Sequence, residues 1–226
     1  IKIEPEIFYY ECDRLGMAVF QDMVNNSDYS FLMDSVLPMA GRNKIDDKDL
    51  HDDPESRMIF LESMEGTVNT LFNHPSICYW TIFNEGWGQF DADAAYDRLK
   101  ELDSSRFIDS TSGWFWQNRS DVDSYHVYFK KIDLTPGDRP LVLSEFGGYA
   151  CKLPGYYYCG RRDYGYRKCA DRAALQKDIS RLYKEEIEPL LAKGLSAAIY
   201  TQLSDVEDET NGLLTYDREI QKIEKI

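Results

Sequence analysis

The sequence predicts an α/β fold, a (β/α)₈ barrel of which about strands three to eight are present. Three observations lead there. Short continuous apolar runs alternate with segments of helical periodicity, as in parallel strands covered on both faces. A polar residue stands at or near the end of nearly every run: Asp22, Asn84-Glu85, Ser110, His126, Glu145 and Gln202. In a barrel all strand ends converge on one mouth, whereas an open doubly wound sheet gathers only the few at its switch point. Finally, no glycine-rich phosphate fingerprint follows the first run, which argues against a nucleotide-binding sheet.

Taken in order, Ile1-Lys2-Ile3 reads as the tail of a strand. Pro5 suits a first helical position, Phe8, Cys12 and Leu15 keep helical spacing, and Gly16 stops the helix. Met17 to Phe20 is a buried strand ending at Gln21-Asp22, and a polar loop broken by Pro38 and Gly41 follows. Asp53-Pro54 opens a helix with the stripe Leu61, Met64, Val68 and Leu71, ended by His74-Pro75. Ile77 to Phe83 is a strand running straight into Asn84-Glu85-Gly86. A helix carries Ala94, Tyr96, Leu99 and Leu102, and a strand starts at Phe107-Ile108 and ends near Ser112. Val122 to Tyr128 and Pro140 to Leu143 are further strands, the latter ending at Ser144-Glu145-Phe146-Gly147-Gly148. After a Tyr- and Gly-rich loop, Leu175, Ile179, Leu182 and Ile187 mark a long helix kinked near Pro189 and capped by Gly194. Ala197 to Tyr200 is the last strand, and Ile220, Ile223 and Ile226 suggest a closing helix.

Six strands, where a closed barrel needs eight, lead to the expectation that residues 1–226 form one partial barrel domain cut from a longer chain. Such a piece would expose strand edges and associate as a homo-oligomer.

The 226 residues suffice for a core. Twenty-six Lys and Arg against 40 Asp and Glu give a net charge of −14. So acidic a surface repels phosphate backbones and anionic membranes, so neither nucleic acid nor membrane is expected as partner. No apolar run has bilayer-spanning length. Of the five cysteines, Cys12 and Cys78 sit in apolar runs and read as core residues. Cys151, Cys159 and Cys169 fall in one loop-like stretch at spacings unlike zinc sites. Free thiols, and with them a reducing, cytoplasmic setting, are the better reading, and no metal or cofactor is expected.

Glu85 and Glu145 carry the chemistry. Both follow buried strands, Glu85 followed by Gly86 and Glu145 by Phe146-Gly147-Gly148; glycine lets a bulky ring approach the backbone. Two carboxyls in different surroundings can divide the work of glycoside cleavage. One stays protonated and donates to the leaving oxygen, and the other stays ionised and attacks the anomeric carbon. The plainer reading makes them helix-capping or ion-paired glutamates. A further alternative uses Asp22, Glu85 and Glu145 to hold magnesium, but that chemistry also wants a Lys or His base converging on the metal.

The motifs carry a resemblance. Tyr79 to Phe83 followed by Asn84-Glu85-Gly86-Trp87-Gly88 resembles the acid/base motif of glycoside hydrolase family 2, and Ser144-Glu145-Phe146-Gly147-Gly148 resembles its nucleophile motif. Ile1 to Pro5 with Cys12 to Gly16, Thr201-Gln202 to Glu207, and Asn211 to Asp217 are similar to segments opening the third strand and closing the barrel. The resemblance implies a β-galactosidase- or β-glucuronidase-like retaining hydrolase acting on terminal β-glycosides. It implies Glu85 as general acid/base after strand four and Glu145 as nucleophile after strand seven. It further implies Asn84 at the sugar's 2-hydroxyl, Asp22 facing the sugar after strand three, and β-sandwich domains outside the barrel. His126 falls where members often carry Tyr beside the nucleophile, a departure from the pattern. Trp114 and Tyr200 are candidate sugar platforms or core rings, Tyr200 standing where many relatives have Trp. The competing reading is an inactive, carbohydrate-binding piece of the same fold.

Overall fold

The computed structural model describes residues 2–25, 45–158 and 163–224. The chain divides into two compact units, Ile1–Ser124 and Tyr125–Ile226.

In the first unit, α1 (Glu6–Leu15) begins behind Pro5, whose extended ψ of 148° makes it the capping residue rather than the first helical one. Gly16 ends the helix in the left-handed conformation, φ 67°, where lack of a Cβ removes the steric cost. The buried face is not the expected Phe8–Cys12–Leu15 stripe. Tyr9 and Cys12 are buried, while Phe8 and Leu15 are exposed. Tyr9 wins because its hydroxyl finds a buried acceptor, donating to Gln21 Oε1 at 2.6 Å, as a buried phenol requires. Residues 2–5 form no strand; instead Gln21 Nε2 donates to the Lys2 carbonyl at 3.0 Å.

Three parallel strands form this unit's sheet in the order β1 (Val19–Asp22), β2 (Ile77–Asn84), β3 (Phe107–Ser112). Sequential neighbours joined by helices are the arrangement of βαβ units. α2 (Pro54–Leu71) starts where expected, with the Asp53 carboxylate accepting from the Ser56 N–H and Pro54 in the first turn. It buries Phe60, Met64, Thr67, Val68 and Leu71. α3 (Ala92–Leu102) buries Ala92, Ala95 and Leu99; the expected Ala94 is exposed, one position off the buried face. The core between sheet and helices centres on Trp80, Ile82, Phe83, Met64, Leu99 and Ile108.

The second unit's sheet has the order β4 (Asp123–Val127), β5 (Leu141–Gly147), β8 (Leu195–Thr201), with β5 and β8 parallel. All six expected strands are thus present. Two two-residue strands, β6 (Tyr149–Ala150) and β7 (Arg167–Lys168), pair within the tyrosine-rich loop. α4 (Arg172–Leu182), capped by Asp171, buries Leu175, Ile179 and Leu182. It passes through a π turn (Tyr183–Ile187) into α5 (Glu188–Leu191), which carries Pro189. The kink expected near Pro189 is the π turn just before it, because proline has no N–H for the α-helical bond.

The closing helix does not form over 220–224. Leu214 instead bridges to Gln221 in antiparallel fashion, the Lys222 N–H donates to the Leu213 carbonyl at 2.8 Å, and Ile223 enters a core cluster with Cys151, Leu175 and Ile179. Beneath this turn Lys222 is buried and donates to Asp205 Oδ1 and Oδ2 at 2.6 and 2.7 Å and to the Thr210 carbonyl at 3.0 Å. That fills all three ammonium donors. The polar loop with Pro38 and Gly41, Cys159 and Ile226 lie outside the described residues. Cys12, Cys78, Cys151 and Cys169 are free thiols. Among the described residues, no helix is long and apolar enough to cross a membrane.

Candidate active site

Within the first unit, the polar residues singled out from the sequence cluster at the C-terminal ends of adjacent strands. Asp22 ends β1 opposite Thr81, and the following Met23 N–H extends the ladder to the Thr81 carbonyl at 2.8 Å. Asn84 ends β2 opposite Ser112, the last residue of β3. Glu85 follows at φ 54°, with its N–H donating to the Ser112 carbonyl at 3.0 Å. A non-glycine residue in the left-handed region is uncommon and often marks a functional site. Here the turn is fixed on both sides, as the Trp87 N–H returns to the Asn84 carbonyl at 3.0 Å and Gln89 to Gly86 at 3.1 Å. Gly86 is required: a Cβ there would lie 2.2 Å from the Phe115 ring. Glu85 and Asn84 are half-buried, Trp87 is exposed, and Trp114 is half-buried just beyond β3.

Beneath this edge lies a pair the sequence reading missed. The Tyr79 hydroxyl donates to Asp109 Oδ2 at 2.9 Å, both residues being buried, and the Tyr79 ring stacks on Phe20 at 4.0 Å. Burial, then the neighbouring Asp109 charge, push the Tyr79 phenol far above its ordinary value, so it remains a proton donor.

The second unit places Glu145 in β5, near its end. The Tyr128 hydroxyl donates to Glu145 Oε2 and lies 3.2 Å from Thr201 Oγ1. His126 Nδ1 stands 3.7 Å from the same carboxylate oxygen, its side chain wholly buried. Residues 126 and 128 share a strand face because side chains alternate with period two. Tyr128, two residues after His126, thus reaches the same carboxylate oxygen. The signal was the tyrosine closing the predicted Val122 to Tyr128 run.

Burial first, then the Glu145 charge, raise the Tyr128 phenol far above its usual range. It stays protonated, and a donor to a carboxylate favours the ionised form. Tyr200 is a packed ring: it meets Phe146 edge-on at 5.7 Å, and its hydroxyl accepts from the Tyr149 N–H at 3.2 Å. Gln202, flagged at the end of β8, donates to Glu209 Oε2 at 2.8 Å and Asn211 Oδ1 at 3.0 Å.

Strands alternating with helices, with carboxylates at strand ends, are a pattern that (β/α) barrel domains share. The family model for glycosyl hydrolases family 2, TIM barrel domain, matches residues 4–155, and the chain belongs to that family. Among curated proteins it is similar to a β-galactosidase of Aeromonas hydrophila, 32% identical over 185 residues, covering 71% of this chain and 16% of that protein. It is also similar to a β-galactosidase of Leuconostoc mesenteroides, 29% identical over 113 residues, covering 43% of this chain and 11% of that protein. The chain thus spans about a sixth or less of the length of these relatives.

Among the solved structures that share the fold are two glucuronidases. One is a β-D-glucuronidase of Dictyoglomus thermophilum, with TM-score 0.60, 16% identity and coverage of 97% of this chain and 41% of that one. The other is a β-glucuronidase of Bacteroides uniformis, with TM-score 0.59, 16% identity and coverage of 96% and 29%.

Proposed function

We propose that this domain hydrolyses terminal β-glycosidic bonds of a carbohydrate substrate with retention of configuration, its six long strands serving as strands three to eight of the barrel. The Glu145 carboxylate attacks the anomeric carbon while the Glu85 carboxyl gives its proton to the departing glycosidic oxygen. Water then replaces Glu145, returning a proton to Glu85 and releasing the carboxylate. The observation that carries the reading is the Tyr128 hydroxyl donating to Glu145 near the end of a buried strand, which holds the carboxylate in place for attack. Family membership supports the reaction class.

Asn84, fixed at the end of β2, serves the sugar's 2-hydroxyl, where a hydrogen bond strengthens at the transition state. Asp22 serves another hydroxyl, Trp114 offers a ring face to the sugar, and His126, with Nδ1 3.7 Å from Glu145 Oε2, supports that carboxylate. Tyr200 contributes by fixing Phe146 and Tyr149 rather than as an open platform.

The test is leaving-group dependence in the intact protein. Glu145→Ala abolishes turnover of every β-glycoside. Glu85→Ala reduces turnover of alkyl glycosides far more than of nitrophenyl glycosides, because only poor leaving groups need the proton. Equal losses on both kinds in Glu85→Ala would reject the acid/base assignment. Retained activity in Glu145→Ala would reject the nucleophile.

A further inference from the structure

Two of the free thiols come together in the second unit. In the short parallel ladder of β6 and β7, Tyr149 stands opposite Arg167 and Ala150 opposite Lys168. The next pair in that register is Cys151 with Cys169. The ladder reaches them: the Cys169 N–H donates to the Ala150 carbonyl at 2.8 Å, and the Thr210 carbonyl holds the Cys151 N–H at 2.9 Å.

Their side chains share a face. Residues two apart on a strand point the same way, so Cys151 follows Tyr149 and Cys169 follows Arg167. On that face the Arg167 guanidinium lies 5.4 Å over the Tyr149 ring. Asp178 of α4 meets Arg167 at 2.9 Å and the Cys169 thiol at 3.8 Å. Cys169 packs against the cluster that Cys151 forms with Leu175, Ile179 and Ile223. Opposed residues of neighbouring strands have Cα atoms about 4.8 Å apart, inside the range of about 4.4–6.8 Å that a disulfide spans.

We propose that Cys151 and Cys169 are a modification site, a thiol pair that a low-molecular-weight disulfide such as oxidised glutathione converts into a disulfide across β6 and β7. The half-buried Cys169 reacts first. Its thiolate attacks one sulfur of the oxidant, one glutathione leaves as thiolate and takes up the proton, and a mixed disulfide remains. Cys151, 1% exposed, then gives up its proton and displaces the second glutathione from Cys169. Two protein thiols are oxidised, and one glutathione disulfide is reduced to two glutathione molecules. The bridge closes residues 151–169 into a loop containing Tyr166, the ring stacked on Tyr128. It stabilises the fold by restricting the unfolded chain, and it does not depend on the hydrolase reading.

The surroundings set the rate. Burial first, then the Asp178 charge and Cys151, push the Cys169 thiol up to about 11, against a smaller opposing pull from Arg167. Burial also raises Cys151, which Lys222 and Arg172 oppose and Asp171 and Asp205 reinforce. The thiolate is the attacking form, so the pair resists oxidation near neutrality and yields as the pH rises.

The experiment incubates the intact, undenatured protein with excess oxidised glutathione at pH 7 and pH 9, alkylates the remaining thiols and maps tryptic peptides by mass spectrometry. Trypsin places Cys151, Cys159 and Cys169 in separate peptides, 132–152, 153–161 and 169–172, so the pairing is read directly. Peptide 132–152 joined to 169–172 is expected, formed at least about tenfold faster at pH 9. The melting temperature should rise by about 5–10 °C and fall back when dithiothreitol reduces the bridge. Cys151→Ser should stop at glutathione bound to Cys169, without that gain. A main product pairing either residue with Cys159, both thiols still free at pH 9, or an oxidised protein that melts below the reduced one would each overturn the proposal.

Discussion

Replacing Asp103 by Asn should cost the first unit about 3–5 kcal/mol at pH 7, the cost of leaving a buried charge without its partner. Asp103 follows α3 with its side chain fully buried and that of Arg106 only 10% exposed. Its carboxylate accepts from Arg106 at 2.6 Å, Trp80 Nε1 at 2.9 Å, and Ser105 N and Oγ at 2.9 and 2.6 Å. Arg106 also donates to the carbonyls of Ile77, Phe72 and His74. It thereby ties the end of α2 to the start of β2. Asparagine matches the shape but brings an amide donor against existing donors and leaves the guanidinium uncompensated. An exposed pair would contribute under about 1 kcal/mol; the burial of both partners decides for the larger figure. All four tryptophans, Trp80, Trp87, Trp114 and Trp116, lie in the first unit, so their fluorescence in urea follows this unit alone. With a slope of about 1–3 kcal/mol/M, the midpoint should fall by about 2 M.

Acid supplies a second arm. Burial by itself would raise the Asp103 carboxyl, but hydrogen bonds from Ser105, Trp80 and Arg106 outweigh it and hold the group well below the usual carboxylate range. A group lowered in the folded state contributes fully above its unfolded value, about 3.9, and loses that contribution as pH falls toward the folded value. The stability gap between wild type and Asp103→Asn is therefore largest near neutrality and narrows below about pH 4. A gap under about 1 kcal/mol at pH 7, or one equally wide at pH 7 and pH 3, would refute the reasoning.

Tyr128→Phe removes the hydroxyl from Glu145 without changing the ring stack, and should lower kcat/KM by about one to two orders of magnitude while leaving the melting temperature nearly unchanged; circular dichroism and steady-state rates check both halves. Lys222→Met leaves the Asp205 carboxylate buried without its cation and should destabilise the second unit by about 3–5 kcal/mol, seen as faster hydrogen exchange at Gly212 and Leu214. Gly148→Ala forces a Cβ into the Tyr166 ring, which stacks on Tyr128 at 3.7 Å, at a left-handed backbone position, and should displace that ring and lower the melting temperature, with loss of the Tyr128–Tyr166 stack in a crystal structure.

The sequence by itself determined the elements whose physics is local. Apolar runs marked β1, β2, β5 and β8, shorter apolar or alternating stretches marked β3 and β4, and Asp53-Pro54 and Gly16 marked helix ends because caps act through neighbouring backbone. Glu85 and Glu145 stood out because a charged residue ending a buried run is conspicuous in one dimension. Only the tertiary structure decided which neighbours each group meets. The helical spacing of Ile220 and Ile223 is real, yet the bridge from Gln221 to Leu214 and the buried ammonium of Lys222 hold that segment in a turn. Burial of Tyr9 instead of Phe8 depended on an acceptor twelve residues away. Tyr128 reads as one more aromatic at a strand end until β4 lies beside β5. Hydrogen bonds and ion pairs between distant segments leave no periodic trace in the chain, so pairs such as Asp205 with Lys222 become visible only when the fold brings them together.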